Sequence, residues 1–238
     1  MSQNSNSNIN ILVVDDDREI AQAIEIYLRN EGYNVFKAYD GLEAVNVADK
    51  EDLHLIIMDI MMPKLDGMQA TMRIREEKNI PIIMLSAKSE DYDKITGLNV
   101  GADDYITKPF NPLELIARVK SQIRRYTNLG SLAGTEAKNV FKTGGLVIDD
   151  STKQVTVDGD EVQLTPTEYG ILKFLTENAG RVFSIEQIYE KVWDEPAYNP
   201  ENTVAVHIRR IREKIEIDPK NPRYLKVVWG VGYKVEKH

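Results

Sequence analysis

Carboxylate, hydroxyl and ammonium side chains follow four apolar runs in the first half of the chain. Asp15 and Asp16 come directly after the first run, Asp59 after the third, Ser86 after the fourth and Lys108 after the fifth. Carboxylates brought together repel one another and raise their own pKa values, and a divalent cation such as Mg²⁺ relieves that repulsion. A carboxylate nucleophile, a metal, a cation and a hydroxyl suit phosphoryl capture, because that chemistry is mostly positioning and charge neutralisation.

These side chains can meet only if a sheet gathers the ends of the runs. The apolar runs alternate with segments of helical periodicity, and we interpret them as five strands: Ile11–Val14, Val35–Tyr39, Leu55–Met58, Ile82–Leu85 and Tyr105–Ile106. This alternation predicts an α/β domain with a five-stranded, parallel, doubly wound sheet of the flavodoxin-like type. Because the carboxyl ends of the central strands line the crevice of such a sheet, the polar groups above are expected there.

Composition divides the rest of the chain into further segments. Residues 1–8 are polar and are expected to form a disordered tail, and residues 9–125 form the α/β domain. Residues 126–142 are rich in Gly, Ser, Thr and Asn, which is typical of a linker. Residues 143–238 form the second domain, with short alternating strands, three helices and a closing hairpin. This order predicts an α+β winged helix-turn-helix fold.

The third helix of the second domain is expected to bind DNA in the major groove. Its predicted core stripe consists of Val204, Ile208, Ile211 and Ile215, which should turn the basic side chains outward. Val206 and Arg210 are expected to meet base edges, and the remaining contacts to hold phosphates. The predicted contact set is Thr203, Val206, His207, Arg209, Arg210, Arg212 and Lys214. Trp229, in the closing hairpin, is expected to pack the hairpin against this helix.

Composition limits the possible functions. The net charge is −8, with 21 acids against 15 bases in residues 1–125 and 17 against 15 in residues 126–238. The second half is therefore not basic overall, but Lys and Arg cluster in the third helix and the hairpin, where phosphates would be contacted. The absence of cysteine excludes disulfides and zinc fingers. No apolar run suggests a membrane span, and a cytoplasmic location without a membrane partner is expected.

Sequence motifs in both halves of the chain resemble those of a known family. Those of the first half are similar to response-regulator receiver domains: Val13–Asp17, Met58–Pro63, Gly67, Ser86–Ala87 and Gly101–Phe110. Those of the second half resemble the OmpR/PhoB output domain: Leu164–Tyr169, Thr203–Arg212 and Gly230–Tyr233. The segment Leu113–Val119 and Trp229 resemble the subgroup of vancomycin-resistance regulators. The resemblance implies transcription control of such genes, or alternatively of another cell-envelope or phosphate-type operon.

The resemblance also implies residue roles. Asp59 would accept phosphate from a cognate sensor histidine kinase. The implied Mg²⁺ ligands, with Asp16 direct and Asp15 nearby or through water, are Asp15, Asp16, Asp59 and the backbone carbonyl of Met61. Lys108 would pair with the phosphoryl group, Ser86 would hydrogen-bond it, and Tyr105 would be an aromatic switch.

A phosphorylation-dependent homodimer is implied as well. Lys94 would meet Glu114, and Asp104 would meet Arg118, across the two subunits. Double-stranded promoter DNA and RNA polymerase are the other implied partners.

Two other classes of protein are open to consideration. A metal-dependent phosphatase with an Asp nucleophile usually has the spacing Asp-x-Asp, but here Met61 stands where the acid would be. We therefore expect no enzyme activity beyond phosphorylation and dephosphorylation of Asp59 itself. A signalling scaffold without DNA binding is the second alternative, and the basic third helix argues against it.

Overall fold

A computed structural model describes residues 8–87, 100–130, 140–194 and 200–238, without the side chains of 87, 128–130 and 200–202. The chain forms two compact units, Met1–Tyr126 and Thr127–His238. The expected polar tail, apart from Asn8, lies outside the described residues, as does Lys94.

The first domain contains the predicted five-stranded parallel sheet. Its strands, in the spatial order β2-β1-β3-β4-β5, are β1 (Asn10–Val14), β2 (Asn34–Ala38), β3 (Leu55–Asp59), β4 (Ile82–Ala87) and β5 (Asp104–Lys108). Its described helices are α1 (Arg18–Asn30), α2 (Gly41–Lys50), α3 (Gly67–Glu77) and α4 (Pro112–Gly130). The doubly wound fold is confirmed, and all five strand predictions match observed strands.

Helices cover both faces of this sheet, which explains why its central strands are apolar throughout. Alternate residues of β1 and β3 point to opposite faces, as the two-residue period of a strand requires. One core layer therefore contains Ile11, Val13, Leu55 and Ile57, and the other contains Leu12, Val14, Ile56 and Met58. A rigid scaffold thus holds the ends of β1 and β3 side by side.

The structure differs from the predicted linker at both ends. Helix α4 continues to Gly130, five residues beyond the expected end at 125, because Tyr126–Leu129 contains no helix breaker. A strand, β6 (Val140–Thr143), begins before the expected domain start at 143 and pairs antiparallel with β7 (Leu146–Asp149). The residues between them, 131–139, lie outside the described part of the chain.

The second domain has the expected winged helix-turn-helix fold. A four-stranded antiparallel sheet consists of β6, β7, β8 (Gln154–Val157) and β9 (Asp160–Glu161). It is followed by α5 (Pro166–Glu177), α6 (Ile185–Trp193) and α7 (Pro200–Ile215), and by the hairpin β10 (Leu225–Val228) and β11 (Gly232–Val235). Strand β9 is only two residues long and pairs antiparallel with β8.

Capping boxes fix the starts of the first two helices of this domain. The side chain of Thr165 accepts a hydrogen bond from the backbone of Glu168, whose side chain accepts one from the backbone of Thr165. Ser184 and Gln187 make the same reciprocal pair at α6. Local hydrogen bonds therefore define where both helices begin.

Candidate functional site

Three carboxylates meet at the carboxyl edge of the first sheet. One ligand oxygen from each of Asp15, Asp16 and Asp59 lies within 4.8 Å of the others. Asp15 and Asp59 are buried, whereas Asp16 is exposed. Three such oxygens with an open side match the donor set that Mg²⁺ prefers, so these residues fit the expected metal.

The third acid of the run has a different role. The Asp17 carboxylate accepts hydrogen bonds from the backbone N–H groups of Glu19 and Ile20, at 2.9 and 3.3 Å, and so caps helix α1. The backbone N–H of Asp17 in turn donates to Oδ1 of Asp15 at 3.0 Å. Asp17 therefore belongs to the helix start, and it orients Asp15 rather than adding a fourth ligand.

Lys108 reaches the acidic cluster from the end of β5. Its Nζ lies 2.7 Å from Oδ2 of Asp15 and 2.9 Å from Oδ1 of Asp59. Although burial alone would lower the pKa of Lys108, its bonds to these two carboxylates raise it above the ordinary value. The ammonium is therefore held charged beside Asp59.

Burial dominates the electrostatics of Asp59. Only 6% of this residue is exposed, and desolvation raises its pKa to about 6, against the opposing effect of Lys108. The negative charges of Asp15 and Asp16 raise it further. An ionised Asp59 is thus costly in the folded protein until more positive charge arrives.

The loop after Asp59 is tightly packed on one side and open on the other. A Cβ on Gly67 would lie 2.0 Å from the carbonyl oxygen of Asp59, so only glycine allows α3 to begin there. Lys64, at a φ of 67°, forms a 2.5 Å ion pair with Asp40, the N-cap of α2. Met61 lies between Asp59 and Lys64 in the chain and is 70% exposed. Its expected carbonyl contact to a metal stays a prediction.

The remaining expected receiver residues lie on neighbouring strands. Ser86 is buried on β4, one residue beyond Leu85, which is the register partner of Asp59. Tyr105 is half-buried on β5. The expected roles of Ser86 and Tyr105, including the switching motion, stay predictions.

Three of the four expected dimer residues form ion pairs within one subunit. The Arg118 guanidinium donates to both carboxylate oxygens of buried Asp104, at 3.0 Å each, and also to Glu114 at 3.0 Å. Sequence reasoning placed the Asp104–Arg118 contact between subunits. Because β5 lies beside α4, the two residues already meet inside the single chain.

The predicted DNA-contacting face of α7 requires correction. Thr203, Val206, His207 and Arg210 are all buried rather than outward-facing. On a helix, residues 203, 207, 210 and 214 share one flank, and this flank packs against neighbouring helices. The rings of His207 and Trp193 of α6 lie 5.7 Å apart. Arg209 is exposed, and Arg212 is half-buried with its Nε bonded to the carbonyl of Leu225.

A buried carboxylate on α5 explains the burial of Arg210. Glu168 is fully buried and lies 3.0 Å from Arg210 and 2.7 Å from Lys214. Although burial would raise the pKa of Glu168, the charges of Arg210 and Lys214 hold it below its ordinary value. The sequence offered one signal for this pairing: Glu168 is an acid at the N3 position of α5, and the basic helix α7 follows later in the same domain.

Trp229 also lies differently from the expectation. It is 88% exposed at the tip of the β10–β11 hairpin and does not pack against α7. The turn there places it ahead of Gly230, so that the indole points away from the domain core.

A parallel α/β domain with an acidic crevice and a winged-helix domain together define a class of protein. Residues 11–120 match the family model "Response regulator receiver domain", and residues 159–235 match "Transcriptional regulatory protein, C terminal". The chain belongs to the response regulators of the OmpR/PhoB type. In the described part of the chain, no helix has the length and apolarity needed to cross a membrane.

Two relatives and one solved structure make the resemblance more specific. The chain is 49% identical to "Regulatory protein VanR" of Enterococcus faecium, over 95% of this chain and 98% of that protein. It is 46% identical to "Regulatory protein VanRc" of Enterococcus gallinarum, over 95% and 98%. The response regulator DrrB of Thermotoga maritima, an OmpR/PhoB homolog, is 37% identical with a TM-score of 0.50, covering 96% and 99% of the two chains.

Proposed function

We propose that this response regulator is switched by phosphorylation of Asp59 by a sensor histidine kinase. The observation that carries the proposal is the position of Asp59, a buried carboxylate in contact with Lys108 and beside two further acids. An oxygen of Asp59 bonds to phosphorus as the phosphorus–nitrogen bond of the donor phosphohistidine breaks. Lys108 is placed to balance the charge of the new phosphoryl group.

Magnesium is the expected cofactor of this step. Asp15, Asp16 and Asp59 would hold it, and it would neutralise negative charge on the carboxylates and the phosphoryl oxygens. Asp59 must be ionised to act as the nucleophile. Labelling should slow as the pH falls, because protonation of buried Asp59, whose pKa is raised to about 6 in the metal-free protein, would compete with Mg²⁺ and remove the nucleophile.

We propose that the second domain then binds promoter DNA through α7 and the hairpin. Arg209 and Lys214 are exposed on α7 and suit phosphate contacts. Arg210 suits a base contact only if it leaves Glu168. Thr203, Val206 and His207 are withdrawn as contacts because all three are buried. Phosphorylation would favour a homodimer that recruits RNA polymerase in the cytoplasm. Similarity to VanR supports vancomycin-resistance genes as targets.

Intact-mass measurement tests the phosphorylation step. With acetyl phosphate or phosphoramidate and Mg²⁺, the protein should gain one phosphoryl group, and Asp59→Asn should gain none. Asp17→Asn is a matched control, because this residue caps α1 and its variant should be labelled like the wild type. Stoichiometric labelling of Asp59→Asn would refute the assignment of Asp59 as the phosphorylated residue.

A mobility-shift assay tests the output. Phosphorylated wild-type protein should bind a duplex from the flank of its own gene more tightly than unphosphorylated protein does. Equal binding of both forms would contradict the proposed control by phosphorylation, whereas binding by neither form would contradict DNA recognition itself.

A further inference from the structure

The loop between β3 and α3, residues Ile60–Asp66, contains a strained backbone conformation. Lys64 has a φ of 67°, in the left-handed region that residues with a side chain rarely adopt. Such a conformation persists only where the surrounding contacts hold it, and it is a reason to look for a function of the segment. The same loop begins directly after Asp59 and includes Met61, whose carbonyl is an expected metal ligand.

Both ends of this loop are fixed by backbone contacts. At the first end, the N–H of Ile60 donates to the carbonyl of Leu85 at 3.1 Å, and the Ile60 side chain is buried. At the second end, Leu65 is buried, and its carbonyl accepts a hydrogen bond of 3.1 Å from the N–H of Gly41. A Cβ on Gly41 would lie 2.4 Å from that carbonyl oxygen, so this close approach of α2 requires glycine. The exposed part of the loop lies between these two ends.

An ion pair with the start of α2 holds the exposed part of the loop. The Nζ of Lys64 lies 2.5 Å from Oδ2 of Asp40, while Oδ1 of Asp40 accepts a hydrogen bond from the N–H of Glu43 at 2.9 Å and so caps α2. The side chain of Asp40 is 4% exposed, against 61% for that of Lys64. Because the carboxylate is buried and fixed by the cap, it offers the ammonium a stationary partner, unlike the carboxylate of an ordinary surface pair.

The charge of this buried carboxylate is secure. The hydrogen bond from Lys64 is the largest cause that holds the pKa of Asp40 below its ordinary value, and the bond from the N–H of Glu43 lowers it further. The ion pair is therefore present at neutral pH, where phosphorylation would take place.

We propose that the Asp40–Lys64 pair is a positioning contact that holds the β3–α3 loop in place for Mg²⁺ and so sets the affinity of the receiver for this ion. The inference rests on the phosphorylation site proposed above, and it adds two residues to that site, neither of which is an expected ligand. Lys64 lies three residues after Met61, so a loop that moves at Lys64 also moves the Met61 carbonyl. A preorganised ligand binds more tightly, because no loop has to be ordered when the ion arrives.

The sign of the effect separates positioning from simple electrostatics. Lys64 is a cation five residues after Asp59, and removing a positive charge near an acidic site should by itself strengthen the binding of a divalent cation. Loss of a positioning contact should weaken that binding instead. A variant without the charge of Lys64 therefore gives opposite results under the two explanations.

Lys64→Asn is the principal test, because asparagine tolerates the left-handed conformation but cannot form an ion pair with Asp40. The Mg²⁺ affinity of the full chain, measured by isothermal titration calorimetry, should fall about tenfold, as for other residues that hold metal ligands in place. Lys64→Gly, which adopts this φ without strain, should bind Mg²⁺ as weakly because it also lacks the pair. Lys64→Arg keeps a cation that can reach Asp40 and should retain most of the affinity.

Lys120→Asn is the matched control. The Nζ of Lys120 lies 2.7 Å from Oε2 of Glu31, so this variant also removes one lysine from an ion pair of the same domain. Glu31 is the C-cap of α1, a helix that begins at Arg18 beside the acidic site and ends far from it. The Mg²⁺ affinity of Lys120→Asn should therefore equal that of the wild type. A melting curve of every variant in EDTA establishes that it is folded before Mg²⁺ is added.

The rate of phosphorylation supplies a second readout. With phosphoramidate as the donor, Lys64→Asn should need about tenfold more Mg²⁺ to reach its half-maximal rate, whereas its rate at saturating Mg²⁺ should change far less. This split is expected of a contact that holds the binding loop and takes no part in bond formation.

Three outcomes would overturn the proposal. Binding of Mg²⁺ by Lys64→Asn that equals or exceeds that of the wild type would show that the pair does not position the loop. An equal loss of affinity in Lys64→Arg and Lys64→Asn would show that the charge of Lys64 is not what matters. Either result would leave phosphorylation of Asp59 intact, whereas absence of Mg²⁺ binding by the wild type would overturn the proposed metal site together with this inference.

Discussion

Replacing Asp59 with asparagine is expected to stabilise the receiver domain in the absence of metal. The wild-type carboxylate is buried, and its pKa rises from 3.8 to about 6 on folding. The folded state therefore binds the proton more tightly than the unfolded state does. Its free energy of unfolding falls as the pH rises from about 4 to about 6, and the full cost remains at higher pH.

The size of the effect follows from the shift. Each pKa unit corresponds to about 1.4 kcal/mol, so a shift of about two units gives a cost on the order of 3 kcal/mol above pH 6. Asparagine cannot ionise and is nearly isosteric, so Asp59→Asn should avoid this cost. At pH 3, below the unfolded-state pKa of 3.8, the wild-type carboxyl is largely protonated in both states, so the two proteins should differ little.

Calorimetry of the full chain measures the effect. Both tryptophans, Trp193 and Trp229, lie in the second domain, so indole fluorescence would not report receiver unfolding. The receiver transition is the one that moves when Mg²⁺ is added to the wild-type protein, because a ligand of the folded state stabilises it. In EDTA at pH 7.5, Asp59→Asn should melt above the wild type, and saturating Mg²⁺ should narrow that gap.

Asp40 provides a control of opposite sign. It is buried too, but its bond to Lys64 lowers its pKa, so its charge stabilises the folded state above the unfolded-state pKa. Asp40→Asn should therefore destabilise the receiver at pH 7.5. If Asp59→Asn were no more stable than the wild type in EDTA at that pH, the assigned burial cost of Asp59 would be wrong.

The other predictions concern ion pairs. Arg118→Glu places a third carboxylate beside Asp104 and Glu114, so it should lower the melting temperature of the monomer and block dimerisation induced by beryllofluoride. Combining Asp104→Arg with Arg118→Asp should restore part of the melting temperature and part of the dimerisation, measured by thermal melting and by sedimentation. If Arg118→Glu left the association constant unchanged, the proposed dimer interface at Asp104, Glu114 and Arg118 would be refuted. Arg210→Ala should cost roughly 1–3 kcal/mol on the cognate site and relax preference at one base pair. Identical base preferences of Arg210→Ala and wild type in selection from random DNA would contradict that contact.

The sequence predicted the receiver site well because parallel sheets obey a simple geometric rule. Strand ends meet at one edge, so Asp15, Asp59 and Lys108 could be brought together without any knowledge of side-chain contacts. The same pattern could not separate Asp16, in the cluster, from Asp17, which caps α1. That distinction depends on which carboxylate points toward the helix start.

The face of α7 was harder to predict because an apolar stripe locates only the most buried side of a helix. The flank that contains His207 and Arg210 looks solvent-exposed in a helical projection. It is covered because Trp193 and Glu168 of neighbouring helices lie against it. Glu168 and its two basic partners lie in separate segments, so neither segment by itself indicates that they pair. Exposed Trp229 shows the reverse error, since a large aromatic side chain was expected to be buried.

The pairing of Glu168 with Lys214 gives a further prediction about salt dependence. A free surface cation that neutralises a DNA phosphate contributes about one unit to the slope of log affinity against log salt. Arg209 is 66% exposed in its side chain, and its pair with Glu213 is on the surface, so Arg209→Ala should lower the slope by about one. Lys214 is already neutralised by a fully buried carboxylate, which it would leave on binding phosphate.

Lys214→Ala should therefore lower the slope by clearly less than Arg209→Ala does. In a Glu168→Gln background, where Lys214 has no buried carboxylate to leave, the same substitution should lower the slope by about one. Titrations of a selected duplex at several salt concentrations, with melting temperatures checked for each variant, measure both slopes. Equal slopes for Lys214→Ala in the two backgrounds would show that Glu168 does not compete with DNA for this ammonium group.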